Sequence, residues 1–226
     1  MLRLVVMCVC CALLVGACGG DDSDEQSASA PTATATPEGP VGCEKVEEPT
    51  PKGEGDLAKP KETLQAGKTY VATVSTNCGD FEITLDPKNA PKTGGSFKSL
   101  ADEKFFDNTT FHRIVSDFVI QGGDPMGTGE GGPGYTVVEA PPKTLKYTKG
   151  VVAMAKTQTD PPGASGSQFF VVTGAGAEQL TPDYALLGKV TSGMDAVDKI
   201  GGIQADPNTG QPAFTVVIKS ITVSEK

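Results

Sequence analysis

The sequence predicts a mainly β domain, either a closed antiparallel barrel or a sandwich, behind an exported leader and an unstructured tether. Three observations carry that fold class. The 226 residues include 28 glycines and 17 prolines, which cut the chain into short segments rather than long helices. Apolar residues alternate with polar ones at Tyr70, Ala72 and Val74, then again at Phe81, Ile83 and Leu85, the period of a half-buried strand. Helical spacing is confined to two stretches. Periodicity does not choose between barrel and sandwich.

The elements follow in chain order. Arg3 precedes an apolar run from Leu4 to Val15, too short to span a bilayer but suited to the core of a secretory signal. The run ends in "LVGAC", which resembles the bacterial lipobox, so the reading is a signal peptide over 1–17 and a lipidated Cys18. An ordinary signal cut after small residues is the alternative. The expected address is the extracytoplasmic side of a bacterial cell membrane, reached through the lipid alone. Residues 18–60 read as a disordered tether, acidic and rich in Pro, Ala and Thr, that cannot bury enough apolar surface to fold. Between Asp21 and Pro60 it carries ten acidic residues against three lysines.

The folded domain is expected over 61–226. It opens with a hairpin, "KTYVATVSTNCGDFEITLD", turning at Cys78-Gly79. A helix is expected from Pro91, with Phe97, Leu100 and Phe105 at helical spacing, although Gly94 and Gly95 weaken it. Strands are expected at 111–121, 151–155, 168–173, 185–190 and 214–223. A second helix fits 193–200, where Met194, Val197 and Ile200 recur three apart. Cys8, Cys10 and Cys11 leave with the leader and Cys18 is lipidated, so Cys43 and Cys78 remain, and in an oxidising compartment they suggest one disulfide.

Charge and residue inventory exclude several functions. A formal net charge of -9 removes any case for binding nucleic acid. A single histidine, His112, and no Cys-x-x-Cys argue against a metal site. No nucleophile elbow accompanies that histidine, and "GTGEGGPG" lacks the strand and Gly-Lys-Ser/Thr context of a phosphate loop. What stands out is Arg113, the only arginine beyond the leader, among apolar and amide neighbours in "FHRIVSDFVIQGGD".

That stretch, with "GVVAMAK", "SGSQFFVVT" and "YALLGKV" in order behind it, resembles the cyclophilins, the peptidyl-prolyl cis-trans isomerases, from about Lys68 to the C-terminus. The resemblance implies a closed eight-stranded antiparallel barrel with two capping helices and an enzyme that needs no cofactor. Its partners would be proline-containing segments of folding exported proteins. It makes Arg113, Phe118 and Gln121 catalytic. It assigns substrate binding to Val119 (in the family's methionine position), Ala155, Lys156, Gln168, Phe170, Leu180 and Tyr184. His112 is left as scaffold.

Besides Val119, the chain departs from the family at four places. Gln179 stands where tryptophan is common, Tyr184 where histidine is common, Lys156 where asparagine is usual, and Ser116-Asp117 where Pro-Gly is usual. The first two bear on cyclosporin binding more than on catalysis. The cation of Lys156 suggests a taste for acidic residues near the substrate proline. A non-catalytic proline-peptide chaperone or receptor is the competing reading. Strand alternation puts Phe118 and Gln121 on opposite faces of one run, so a bend near Ser116-Asp117 or a bulge is required to bring Gln121 beside Arg113.

Overall fold

A computed structural model describes residues 42–226; the leader, Cys18 and the tether up to residue 41 lie outside the described residues. The hairpin opens the domain as β1 (Tyr70–Thr76) and β2 (Phe81–Leu85), followed by helix α1 (Pro91–Asp102). Next come β3 (Thr109–Thr110), β4 (Arg113–Val115), β5 (Val119–Gly122), β6 (Val137–Val138), β7 (Val151–Met154), β8 (Ala164–Ser165) and β9 (Phe169–Val172). A 3-10 helix (Ala175–Gln179), β10 (Leu186–Ser192), α2 (Met194–Gly201) and β11 (Val217–Glu225) complete the chain.

Nine strands form one curled antiparallel sheet in the order β3-β11-β1-β2-β10-β7-β9-β5-β4, and β6 pairs with β8 separately. The mainly β class with two α-helices is as the sequence predicts, but the closed eight-stranded barrel is not. The sheet is an open half-barrel with its seam between β3 and β4. Phe111 and His112 separate these strands, which follow one another along one run and do not pair with each other. Other partners satisfy the seam. The Phe111 N–H donates to Val216 O at 2.9 Å and the Ile114 N–H to Gly210 O at 2.8 Å.

The central strands are buried on both faces, which explains their near-continuous apolar runs. Val152, Ile120 and Val171 face one cluster, where Phe97 packs edge-on to Phe169 and beside Phe106. Alternate residues Ala153, Val119, Phe170 and Val172 face a second, smaller cluster with Tyr147 and Leu186. This second face carries the site.

Pro91 begins α1 where its missing N–H costs nothing, while Phe105 falls beyond the helix end at Asp102. The two glycines that weaken the helix on propensity have a packing role. A Cβ on Gly95 would stand 2.8 Å from the Thr63 Cα, because residues 62–64 cross directly over the helix. The Leu64 N–H donates to Pro91 O at 2.9 Å in the same crossing.

Residues 43–64, most of them grouped with the tether on sequence grounds, form neither helix nor strand but run as a strap along the domain. Cys43 is bonded to Cys78, which is fully buried. Beside the bond, the Glu44 N–H donates to Asn77 O at 2.7 Å. Asn77 Nδ2 donates to Glu44 O and Thr215 O, and its Oδ1 accepts from the Val217 N–H.

Candidate functional site

The run read as one strand over 111–121 is a hairpin. Asp117 adopts φ +56° in the turn between β4 and β5, and the register pairs Arg113 with Gln121, Ile114 with Ile120 and Val115 with Val119. The turn at Ser116-Asp117 thus supplies the required bend, and cross-strand pairing sets Arg113 and Gln121 on the same face. The row continues through Phe170 of β9 and Ala153 of β7. The turn is tied down from outside: the Gly176 N–H donates to Asp117 O at 2.9 Å and the Ala175 N–H to the Asp117 carboxylate at 3.2 Å.

A relay of amides orients the polar half of the site. Gln168 Nε2 donates to Gly129 O and Gly131 O, each at 2.9 Å. Gln121 Nε2 donates to Gln168 Oε1 at 3.0 Å, and Arg113 Nη1 donates to Gln121 Oε1 at 3.3 Å. The two carbonyls can only accept, so each amide along the line has one permitted orientation. Arg113 forms no ion pair among the described residues, which leaves most of its five N–H donors unused within them.

The apolar half is a cavity of about 230 Å³ lined by Phe118, Val119, Phe170, Leu180 and Tyr184, with Arg113, Gln121, Ala155 and Lys156 around it. Gln168 lies in the adjoining cavity and reaches this one only through Gln121. Phe170 and Tyr184 meet edge to face at 5.4 Å. Tyr147, which sequence reasoning missed, supports both rings from behind. Its hydroxyl donates to Tyr184 O at 2.8 Å and accepts from the Tyr184 N–H at 3.0 Å, and burial pushes its pKa up to about 12. Gln158 also lines the cavity and was likewise missed. Tyr147 sits among lysines with no apolar period, so no sequence signal pointed to it.

The free cation expected of Lys156 is absent. Its ammonium is 2.9 Å from Asp183, its side chain is only 6% exposed, and it donates to Thr157 O and Asp160 O while lying over the Tyr184 ring. The charge is used to brace the loop after β7.

His112 takes no part in the relay. Among the described residues neither buried ring nitrogen has a hydrogen-bond partner of good geometry, and burial holds its pKa below the usual 6.5, with Asp124 and the nearby Thr110 backbone opposing and Arg113 pushing the same way. The unfolded chain therefore takes up this proton at higher pH than the folded one. Stability contributed by the neutral ring is complete above pH 6.5 and declines as pH falls below it, by at most about 1.4 kcal/mol per pH unit. Urea titrations between pH 7.5 and 5 are expected to show this loss in the wild type and a shallower slope in His112→Phe. Identical slopes would contradict the assignment.

Comparison with known proteins identifies the family. Residues 71–223 match the family model for cyclophilin-type peptidyl-prolyl cis-trans isomerases. Peptidyl-prolyl cis-trans isomerase B of Streptomyces anulatus is 38% identical over 173 residues, covering 69% of this chain and 97% of that protein. Peptidyl-prolyl cis-trans isomerase A of Mycobacterium tuberculosis is 37% identical over 174 residues, covering 69% and 93%. Among solved structures, a Cryptosporidium parvum cyclophilin-type isomerase superposes with a TM-score of 0.63 at 31% identity, covering 70% of this chain and 99% of its own. The same protein was also solved in the presence of the dipeptide Ala-Pro. With the arginine, the amide relay and the apolar cavity on one face of the matching fold, the chain belongs to the cyclophilin-type peptidyl-prolyl cis-trans isomerases.

Proposed function

We propose that this isomerase turns X-Pro bonds in segments of exported proteins as they fold, from a lipid anchor at Cys18. The observation that carries the reading is a guanidinium with no carboxylate partner among the described residues, oriented by amides beside an apolar cavity. Rotation about a peptide bond crosses a barrier of about 18–20 kcal/mol and takes tens to hundreds of seconds unaided at proline. No bond is made or broken, so neither nucleophile nor metal is needed. As the amide twists, conjugation is lost and lone-pair density returns to the prolyl nitrogen. Arg113 donates to that nitrogen or holds the proline carbonyl, and the relay keeps it aimed before substrate arrives. Phe118, Phe170 and Leu180 grip the ring and exclude water from the twisting bond. Gln121 and Gln168 offer hydrogen bonds to the flanking backbone.

Two features support the extracytoplasmic address. The leader ends in a lipobox-like "LVGAC", and the Cys43–Cys78 bond suits an oxidising compartment. In cells making the full chain, isomerase activity is expected in the membrane fraction, and Cys18→Ala is expected to move it to the soluble exported fraction. Retention of Cys18→Ala at the membrane would assign anchoring to another part of the chain.

A further inference from the structure

We propose that the strap, through Glu54, makes the site selective for substrates carrying lysine or arginine close to the target proline; the inference rests on the isomerase reading. The strap precedes the family-matched residues 71–223, yet it forms one wall beside the site. Its backbone is laced to the loop after β5: the Lys52 N–H donates to Pro125 O, the Gly55 N–H to Gly132 O and the Leu57 N–H to Pro133 O, each at 2.9 Å. The fit is close on both sides. A Cβ on Gly55 would stand 2.8 Å from Gly132 O, and one on Gly134 would stand 2.6 Å from Gly55 O, so neither backbone admits a side chain at the crossing.

This seating places the neighbouring residue. The Gly132 N–H donates to Glu54 Oε2 at 3.1 Å, which holds the carboxylate at a cavity of about 680 Å³. That cavity shares Gln121, Ala155 and Lys156 with the apolar proline pocket, so a peptide seated at the pocket has its next residues beside Glu54. Glu130 and Asp160 line the same space. Asp160 accepts from the Thr157 N–H and hydroxyl at 2.9 and 2.8 Å, bonds that hold its pKa below the ordinary carboxylate value. The one lysine lining the space, Lys156, is already neutralised by Asp183. A side chain entering the cavity therefore meets three carboxylates and, among the described residues that line it, no uncompensated cation. An ammonium or guanidinium is attracted there, and a carboxylate is repelled.

The groups are solvent-accessible, so each carboxylate is worth roughly 1.4- to 5-fold in selectivity, and the effect falls with salt. The test uses the full chain and proline peptides identical except for Lys, Gln or Glu at each of the three positions on either side of proline. Isomerisation is followed by exchange NMR, and each variant is normalised to its own rate on the Gln peptide. At low salt the wild type is expected to favour Lys over Glu at one or more of these positions, by roughly fivefold or more, with the ratio shrinking at high salt. Glu54→Gln should lower the ratio about two- to fivefold, Glu54→Lys should lower it further, and Gly55→Val, which unseats the strap, should match Glu54→Gln. Equal rates on Lys and Glu peptides alongside normal turnover of the Gln peptide would overturn the inference alone. So would a preference untouched by Glu54→Lys. Absence of turnover on every peptide would overturn the isomerase reading, and this inference with it.

Discussion

Arg113→Ala is expected to lower kcat/KM on a proline peptide by roughly ten- to 150-fold while the domain stays folded. The figure is the worth of one charge-assisted hydrogen bond, about 1.5–3 kcal/mol, present only when the amide is twisted. In the proposed mechanism the rest of the rate enhancement comes from the apolar cavity and from water exclusion, and is expected to survive the substitution. Arg113→Lys is expected to recover little. A lysine cannot donate to Gln121 and still present a planar fork to the substrate, and it comes to the relay as a mobile point charge. Circular dichroism and urea midpoints close to wild type would assign the loss to chemistry, because the Arg113 side chain is only half-buried and its one protein bond is 3.3 Å long. An unchanged rate in both variants would remove the guanidinium from the mechanism.

Loss of the Cys43–Cys78 bond is expected to be the largest stability effect in the chain. The bond closes a loop of sequence separation 35, for which chain entropy predicts about 3–4 kcal/mol. Cys43→Ser with Cys78→Ser removes that constraint and leaves a hydroxyl at position 78, which is fully buried. Urea denaturation of the double variant, and of wild type with and without reductant, should show midpoints falling together. A loss below about 1 kcal/mol would mean that the strap's backbone bonds, those of Glu44, Lys52, Gly55 and Leu57, hold it without the covalent link.

Which parts of this were legible in the sequence has a physical pattern. The hairpin at 70–85, both helices and the later strands were readable because each has a period and turn residues of its own. The pairing of Cys43 with Cys78 was readable from counting cysteines. The hairpin at Arg113–Gly122 was not seen as two strands, because every residue from Phe111 to Ile120 except Ser116 and Asp117 suits an extended run. Only the conflict between strand period and the need to join Arg113 to Gln121 called for a bend near Ser116-Asp117 or a bulge, without choosing between them. The open seam was invisible, since closure depends on whether β3 and β4 lie side by side. The neutralised Lys156, the buttress at Tyr147 and the strap's place at the site all depend on residues distant in sequence: Asp183, Tyr184 and Gly132.

The seam also governs whether an extended peptide could pair with the sheet. An exposed sheet edge is a template on which any extended segment can add itself as another strand. Here the two outermost strands are only two and three residues long, and they follow one another along the same stretch of chain. Thr110 already bridges to Asp124, and the Ile114 N–H is taken by Gly210. Among the described residues, an extended segment therefore finds too little unpaired edge at the seam to add itself as a strand.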